Sequence, residues 1–331
     1  MRIYNLCALF GIFDHGGIVH HRSLKKLIRS LSTECQIRGK DSTGVAYCAN
    51  SDIRIYKAPK PANKLHLFFP VNTKCVMGHT RMATQGLPEI NINNHPFIGT
   101  VGDTKFALAH NGVIYNDKIL RISQKLPETQ IQTDSYILTQ LIEQNECLDF
   151  ESIKSSVELL EGTYSFSILD NANNLYLIKG ESPLFIAYFQ EIFLYVYAST
   201  EAIFTKAIAK SFLKHEPFSK VEVISGDILK IDAQGKIQKS RFENWYSSCL
   251  FNSRIPYRFN FTNIQTSTES NHLDELVELG SFVGVSREEI SALLECGFSK
   301  FEIEQLLYDP DELREQLCSV YEEEPDFCFD Y

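Results

Sequence analysis

Five polar clusters in the N-terminal part of the chain hold the side chains best suited to chemistry. Cys7 opens an apolar run, Cys-Ala-Leu-Phe-Gly-Ile-Phe (7–13); a thiol there is a nucleophile if it ionises and an inert core group if it does not. Arg38-Gly39-Lys40-Asp41-Ser42-Thr43-Gly44 is a polar loop. The run from Gly78 to Gly86 contains His79, Arg81, Thr84 and Gln85, and its arginine suits either a carboxylate ligand or a loop-edge ion pair. Ala109-His110-Asn111-Gly112 carries a turn signal. Gln132-Thr133-Asp134 ends on an acid that a helix start would favour. Taken singly, each cluster has an ordinary structural explanation. His79, His95 and His110 share no helix face and no ligand spacing, so no metal is expected. There is no Gly-x-Gly-x-x-Gly, and Gly39-Lys40 lacks the upstream glycine of a phosphate loop.

The elements that must position these residues follow from periodicity. Residues 7–13 read as a strand buried on both faces. Leu24, Leu27, Ile28 and Leu31 give helical spacing over 20–34, and strands are expected at Val45–Tyr47, Ile53–Tyr56 and Phe106–His110. Arg81 to Phe97 reads as one long loop. Thr133-Asp134 is expected to cap a helix through Ile137, Leu138, Leu141 and Ile142, and a second helix carries Ile153, Val157 and Leu160. Strands then dominate at 164–169, 175–178, 184–189, 192–197, 221–223 and 227–231, interrupted by a helix at 201–212. That order predicts α+β architecture with antiparallel sheets layered against helices.

Together and in this order, the clusters resemble the class II glutamine amidotransferases, hydrolases with an N-terminal cysteine nucleophile. The motifs are Arg38-Gly39-x-Asp41-Ser42-x-Gly44, Gly78-His79-Thr80-Arg81-x-Ala83-Thr84, His95-Pro96, His110-Asn111-Gly112 and Thr133-Asp134. Glu161-Gly162-Thr163-Tyr164, Ser182-Pro183-Leu184, Ala198-Ser199-Thr200 and Gly226-Asp227 agree further on. The match is nearest to the glutaminase domain of glucosamine-6-phosphate synthase. The resemblance implies a four-layer αββα sandwich and glutamine as substrate. It assigns Cys7 as nucleophile, with its free α-amine relaying the thiol proton. It assigns the Asn111 side chain and the Gly112 N–H to the oxyanion hole. Arg81 would hold the substrate α-carboxylate and Asp134 its α-ammonium, with Thr84 and Gln85 lining the pocket.

This sequence departs from the family pattern in three ways. Six residues precede Cys7, so cleavage is expected to expose its amine. Met82 replaces an aromatic and Gln85 a histidine. No synthase half follows. The expected divisions are a leader at 1–6, a catalytic domain at 7–242, a linker or strap at 243–272, a module of three to four helices at 273–321 and an acidic tail at 322–331. The expected function is glutamine hydrolysis through a Cys7 thioester, with ammonia passed to a separate synthase. A silent glutamine-binding module and a hydrolase of another γ-glutamyl amide are the alternatives.

Composition sets the outer limits. The 331 residues are 44% hydrophobic and 22% charged, with net charge −10, which supports a packed core and argues against a nucleic-acid partner. Nine cysteines without a Cys-x-x-Cys pair point to a reducing compartment and a cytoplasmic location, and no membrane segment or cofactor is expected.

Overall fold

A strand that is apolar on both faces has to be covered on both, and β1 (Ala8–Asp14) is: all seven of its residues are buried. The computed structural model describes residues 7–243, together with 277, 285–296, 298, 303, 306, 313, 316 and 317. Ala8, Phe10 and Ile12 point into a core shared with two helices, α1 (His21–Cys35) and α5 (Glu201–Ala209). Leu9 and Phe13 point the other way, into a second core. This is the period-two alternation of a strand with packing on both sides.

β1 is central in a seven-stranded antiparallel sheet. On one side lie β10 (Leu194–Ala198), β9 (Phe185–Phe189) and the short β11 (Ser219–Lys220). On the other lie β4 (Cys75–Arg81), β2 (Ser42–Ala49) and the edge strand β3 (Asp52–Ala58). The second sheet has six strands in the order β13 (Ile237–Arg241), β12 (Asp227–Ile231), β8 (Leu175–Lys179), β7 (Gly162–Asp170), β6 (Thr104–Ile114) and β5 (Phe97–Val101). On β6, Ala107 and Ala109 face the first sheet, while Phe106 and Leu108 face α3 (Tyr136–Gln144) and α4 (Phe150–Val157). The layers are therefore helix, sheet, sheet, helix, and the α+β sandwich expected from the sequence is what forms.

Several local expectations give way. Residues 117–123 form a helix, α2 (Asp117–Ser123), which the apolar pattern hides because Ile119 and Ile122 are exposed. The loop read from Arg81 to Phe97 ends in β5, an edge strand alternating buried and exposed residues. β13 is a polar edge strand with no apolar signature. A strand at 221–223 does not form; β11 stops at Lys220, and Val221 N–H adds one further bond to Ile186 O. Thr133-Asp134 does not cap α3, whose N-cap is Ser135 without a side-chain bond.

The chain divides into two compact units, residues 1–255 and 256–331. In the second, α6 (Arg287–Glu295) starts with a capping box in which Ser286 Oγ accepts from Glu289 N–H and Ser286 N–H donates to Glu289 Oε2. Ile290, Leu293, Ile303, Leu306, Leu313 and Leu317 form its core. The expected leader, the acidic tail and all of the strap but Glu243 lie outside the described residues, as does most of the expected helical module at 273–321. No helix among the described residues is long and apolar enough to cross a membrane.

The contact between β1 and β4 leaves no room for a larger residue at Gly78. A Cβ there would stand 2.2 Å from the Phe10 ring. Gly78→Ala is expected to destabilise the protein by about 1–3 kcal/mol through overpacking. A urea midpoint equal to that of wild type would show that the contact can relax freely.

Candidate active site

Sheet register puts the nucleophile candidate beside the cation. Ala8 pairs with Thr80, and Ser42 pairs with Arg81 on the other side of β4. Cys7 thus lies at the same end of the sheet as Arg81, and its Sγ–H donates to Met82 O at 3.4 Å. The loop at 38–44 braces both. Arg38 Nε–H donates to Cys7 O at 3.0 Å, Asp41 N–H to Arg81 O at 3.0 Å, and Ala83 N–H to Asp41 Oδ2 at 2.7 Å. A Cβ on Gly39 would stand 2.4 Å from the Arg81 backbone, so this close approach requires glycine.

Arg81 is 3% exposed and has no carboxylate within ion-pair distance among the described residues. Its guanidinium donates to Asn94 Oδ1 at 2.9 Å, to Gly86 O at 2.8 Å and to Gln85 O. All three acceptors are neutral. Burial pulls its pKa down, while Cys7, Asp134, Asp41 and Glu89 act in the opposite direction.

Asp134 comes from the other sheet's side. It is 4% exposed, accepts from Ile114 N–H at 2.7 Å and from Ser135 Oγ–H at 3.2 Å, and its pKa is raised by burial. Asn111 and Gly112 lie three and two residues before Ile114 on the same strand. The Asn111 amide is fully buried, with Oδ1 unpartnered and Nδ2 only 3.5 Å from Pro183 O. Gly112 adopts φ +142°, and a Cβ there would meet Thr163 O at 1.8 Å, so β6 and β7 touch backbone to backbone. Thr84 sits on the exposed loop, and Gln85 contributes its carbonyl to Arg81.

Behind these residues lies a layer of neutral histidines. His79 Nε2–H donates to His110 O at 2.8 Å, and His95 Nδ1 lies 2.8 Å from the same nitrogen. Ser135 Oγ, whose hydrogen goes to Asp134, accepts from His110 Nδ1–H at 2.8 Å. Burial pushes His110 down to about 3, and His79 and His95 well below the usual imidazole range. Among the described residues no group of His, Cys, Asp and Glu is placed to hold a metal. Lys57, Asn93, Asn94 and Ser135 did not stand out in the sequence. Each has at least one partner remote in the chain, and none sits in a recognisable spacing.

A half-buried thiol, a buried cation held by neutral acceptors, a buried carboxylate and a buried amide thus gather at one end of the αββα sandwich. Residues 79–205 match the family described as "Glutamine amidotransferase domain". It is 32% identical over 178 residues to glutamine–fructose-6-phosphate aminotransferase [isomerizing] of Bacillus cereus, covering 51% of this chain and 29% of that protein. The Bacillus subtilis protein of the same name is 31% identical over 179 residues, with the same coverage. The chain thus spans under a third of these relatives. The solved glutamine phosphoribosylpyrophosphate amidotransferase of B. subtilis superposes with TM-score 0.55 at 23% identity, covering 72% of this chain and 49% of that one, and so shares the fold.

The neutral histidine layer makes stability depend on pH. A histidine whose folded pKa lies below its unfolded value of ~6.5 leaves the unfolded state binding more protons, so stability is full above ~6.5 and falls as pH drops toward the folded value. At about pH 5 each such group costs about 2 kcal/mol, opposed by the raised carboxyl of Asp134. Unfolding free energy is expected to fall between about pH 7.5 and about pH 5. His110→Gln should reduce that fall by about 2 kcal/mol; an equal fall in the variant would mean that His110 titrates normally.

Proposed function

We propose that this chain is a glutaminase that hydrolyses L-glutamine to glutamate and ammonia. The observation that carries this reading is Arg81: a buried guanidinium with no carboxylate within ion-pair distance among the described residues, whose charge is felt by both the Cys7 thiol and the buried carboxyl of Asp134. An α-amino acid supplies the missing carboxylate for Arg81 and an ammonium for Asp134. Its side-chain amide then reaches toward Cys7.

In the proposed reaction, Cys7 Sγ attacks the substrate Cδ and its proton passes to the cysteine's own α-amine. The Asn111 amide and the Gly112 N–H take the charge that develops on the amide oxygen. The C–N bond breaks as the α-amine returns the proton to the leaving nitrogen, releasing ammonia and leaving a γ-glutamyl thioester. Water, deprotonated by the same amine, hydrolyses that thioester to glutamate. The ammonia would be used by an acceptor on a separate synthase.

The α-amine exists only once residues 1–6 are removed. With a peptide nitrogen in its place, burial pushes the Cys7 thiol up to about 11, overriding the lowering by the Met82 backbone, Arg81 and Arg38. A thiol in that range is protonated at neutral pH and a weak nucleophile. The uncut chain would therefore bind glutamine without turning it over.

Ammonia release from glutamine, measured beside the intact mass, tests the reading. Activity is expected only in protein whose N-terminus is Cys7; full activity in chains beginning at Met1 would overturn the mechanism. A glutamine-like diazoketone should alkylate Cys7 alone, and Arg81→Ala should abolish that labelling. Asn111→Ala should lower kcat by ~10²–10³, the usual weight of one oxyanion donor, and an unchanged kcat would remove Asn111 from the site.

A further inference from the structure

Beside Arg81 lies a second cation that the reaction does not use. Lys57, half-buried on β3, donates from Nζ to Asn94 O at 2.5 Å and to Pro96 O at 3.0 Å, and the same Nζ sits 5.2 Å from the centroid of the Phe97 ring. Like Arg81, it has no carboxylate within ion-pair distance among the described residues. Burial and the charge of Arg81 bring its pKa down to about 8, so the two cations sense one another.

Asn94 joins them. It is fully buried, and every polar atom of its side chain is committed. Nδ2–H donates to Pro88 O at 2.7 Å and to Asn91 Oδ1 at 3.2 Å, Oδ1 accepts from Arg81 Nη1–H at 2.9 Å, and its own carbonyl accepts from Lys57. The choice of amide matters. An aspartate would fit the same space and accept the same hydrogen bond, but it would neutralise Arg81. A neutral acceptor fixes the guanidinium while leaving its charge, and that of Lys57, for a ligand anion.

We propose that Lys57 and Asn94 are positioning residues that hold Arg81 and complete the electropositive floor for the substrate α-carboxylate. The proposal rests on the glutamine reading above and adds two residues to it. It predicts an effect on the affinity for the carboxylate, with the chemistry at Cys7 left intact.

The test is steady-state hydrolysis of glutamine by Asn94→Asp, Lys57→Met and Lys57→Arg in the full chain. Calorimetric titration with L-glutamine and with its α-carboxamide accompanies it, and melting curves check folding. Asn94→Asp and Lys57→Met are expected to raise KM about tenfold, equivalent to about 1.4 kcal/mol, with kcat within about twofold, and to lose the preference for glutamine over the carboxamide. Lys57→Arg should restore KM to within about threefold of wild type. Unchanged KM in both variants, or a parallel fall of kcat, would overturn the proposal while leaving the glutamine reading standing. A processed wild-type protein that neither binds nor hydrolyses glutamine would overturn both. Should Asn94→Asp fail to fold, Lys57→Met, on an edge strand, decides alone.

Discussion

The site is organised around a buried positive charge that no carboxylate among the described residues pairs with. Desolvating a guanidinium costs several kcal/mol unless hydrogen bonds and nearby charge offset it. Arg81 meets that cost with neutral acceptors only. Its backbone is pinned from both sides, by β1 and β2, and its carbonyl is held by Asp41. The loop from Gln85 to Pro96 is shaped by the same requirement, since two of its carbonyls and one of its side chains are turned toward the cation. Asn93 anchors that loop to Gln132, just before Asp134, through its Nδ2–H to Gln132 Oε1 and from Gln132 N–H to its own Oδ1.

The opposing carboxylate belongs to the other half of the sandwich. Asp134 is tied to β6 through Ile114, so the separation of cation and anion is set by how closely the two sheets stack. Small residues at that interface, Ala46, Ala107 and Ala109, allow the approach. The buried histidines serve the same electrostatic end. A protonated imidazole beside Arg81 would add a third positive charge to a space that already holds two, and burial keeps all three neutral. Ser135 links this layer to the anion, since it accepts from His110 and donates to Asp134.

The sequence made the layered architecture legible wherever a segment buried a face. The β1 run, the α1 spacing and the alternation of β6 all state their burial in apolar residues. Segments that bury nothing of their own were silent: α2 exposes Ile119 and Ile122, β13 is polar throughout, and β5 is a short edge strand. Asp134 shows how a local rule misleads. An acid ahead of a helix is read as a cap, yet its oxygens go to Ile114 and Ser135, because a backbone N–H across the fold and a neighbouring hydroxyl outcompete the helix end. Lys57 and Asn94 were illegible for a different reason. Their meaning lies in contacts 37 to 39 residues apart along the chain, from Lys57 to Asn94 and Pro96, and in the lack of an ion-pair partner for Lys57 among the described residues.

Binding and bond-breaking make separate demands on this site. The groups proposed to hold glutamine, Arg81 and Asp134, are fixed by sheet register and by loops far from the start of the chain. The nucleophile depends on one atom more, the nitrogen of Cys7. While that nitrogen is a peptide group, the thiol sits in a desolvated corner with its proton directed to the Met82 carbonyl, and burial holds it near 11. The neighbouring cations favour the thiolate, but they do not offset its desolvation. Converting the nitrogen to an amine supplies a base of reference pKa ~7.7–8.0 next to the sulfur without altering any element that builds the pocket. On the proposed reading, then, one backbone cleavage separates a glutamine-binding protein from a glutamine hydrolase, and the fold can be complete before the chemistry is.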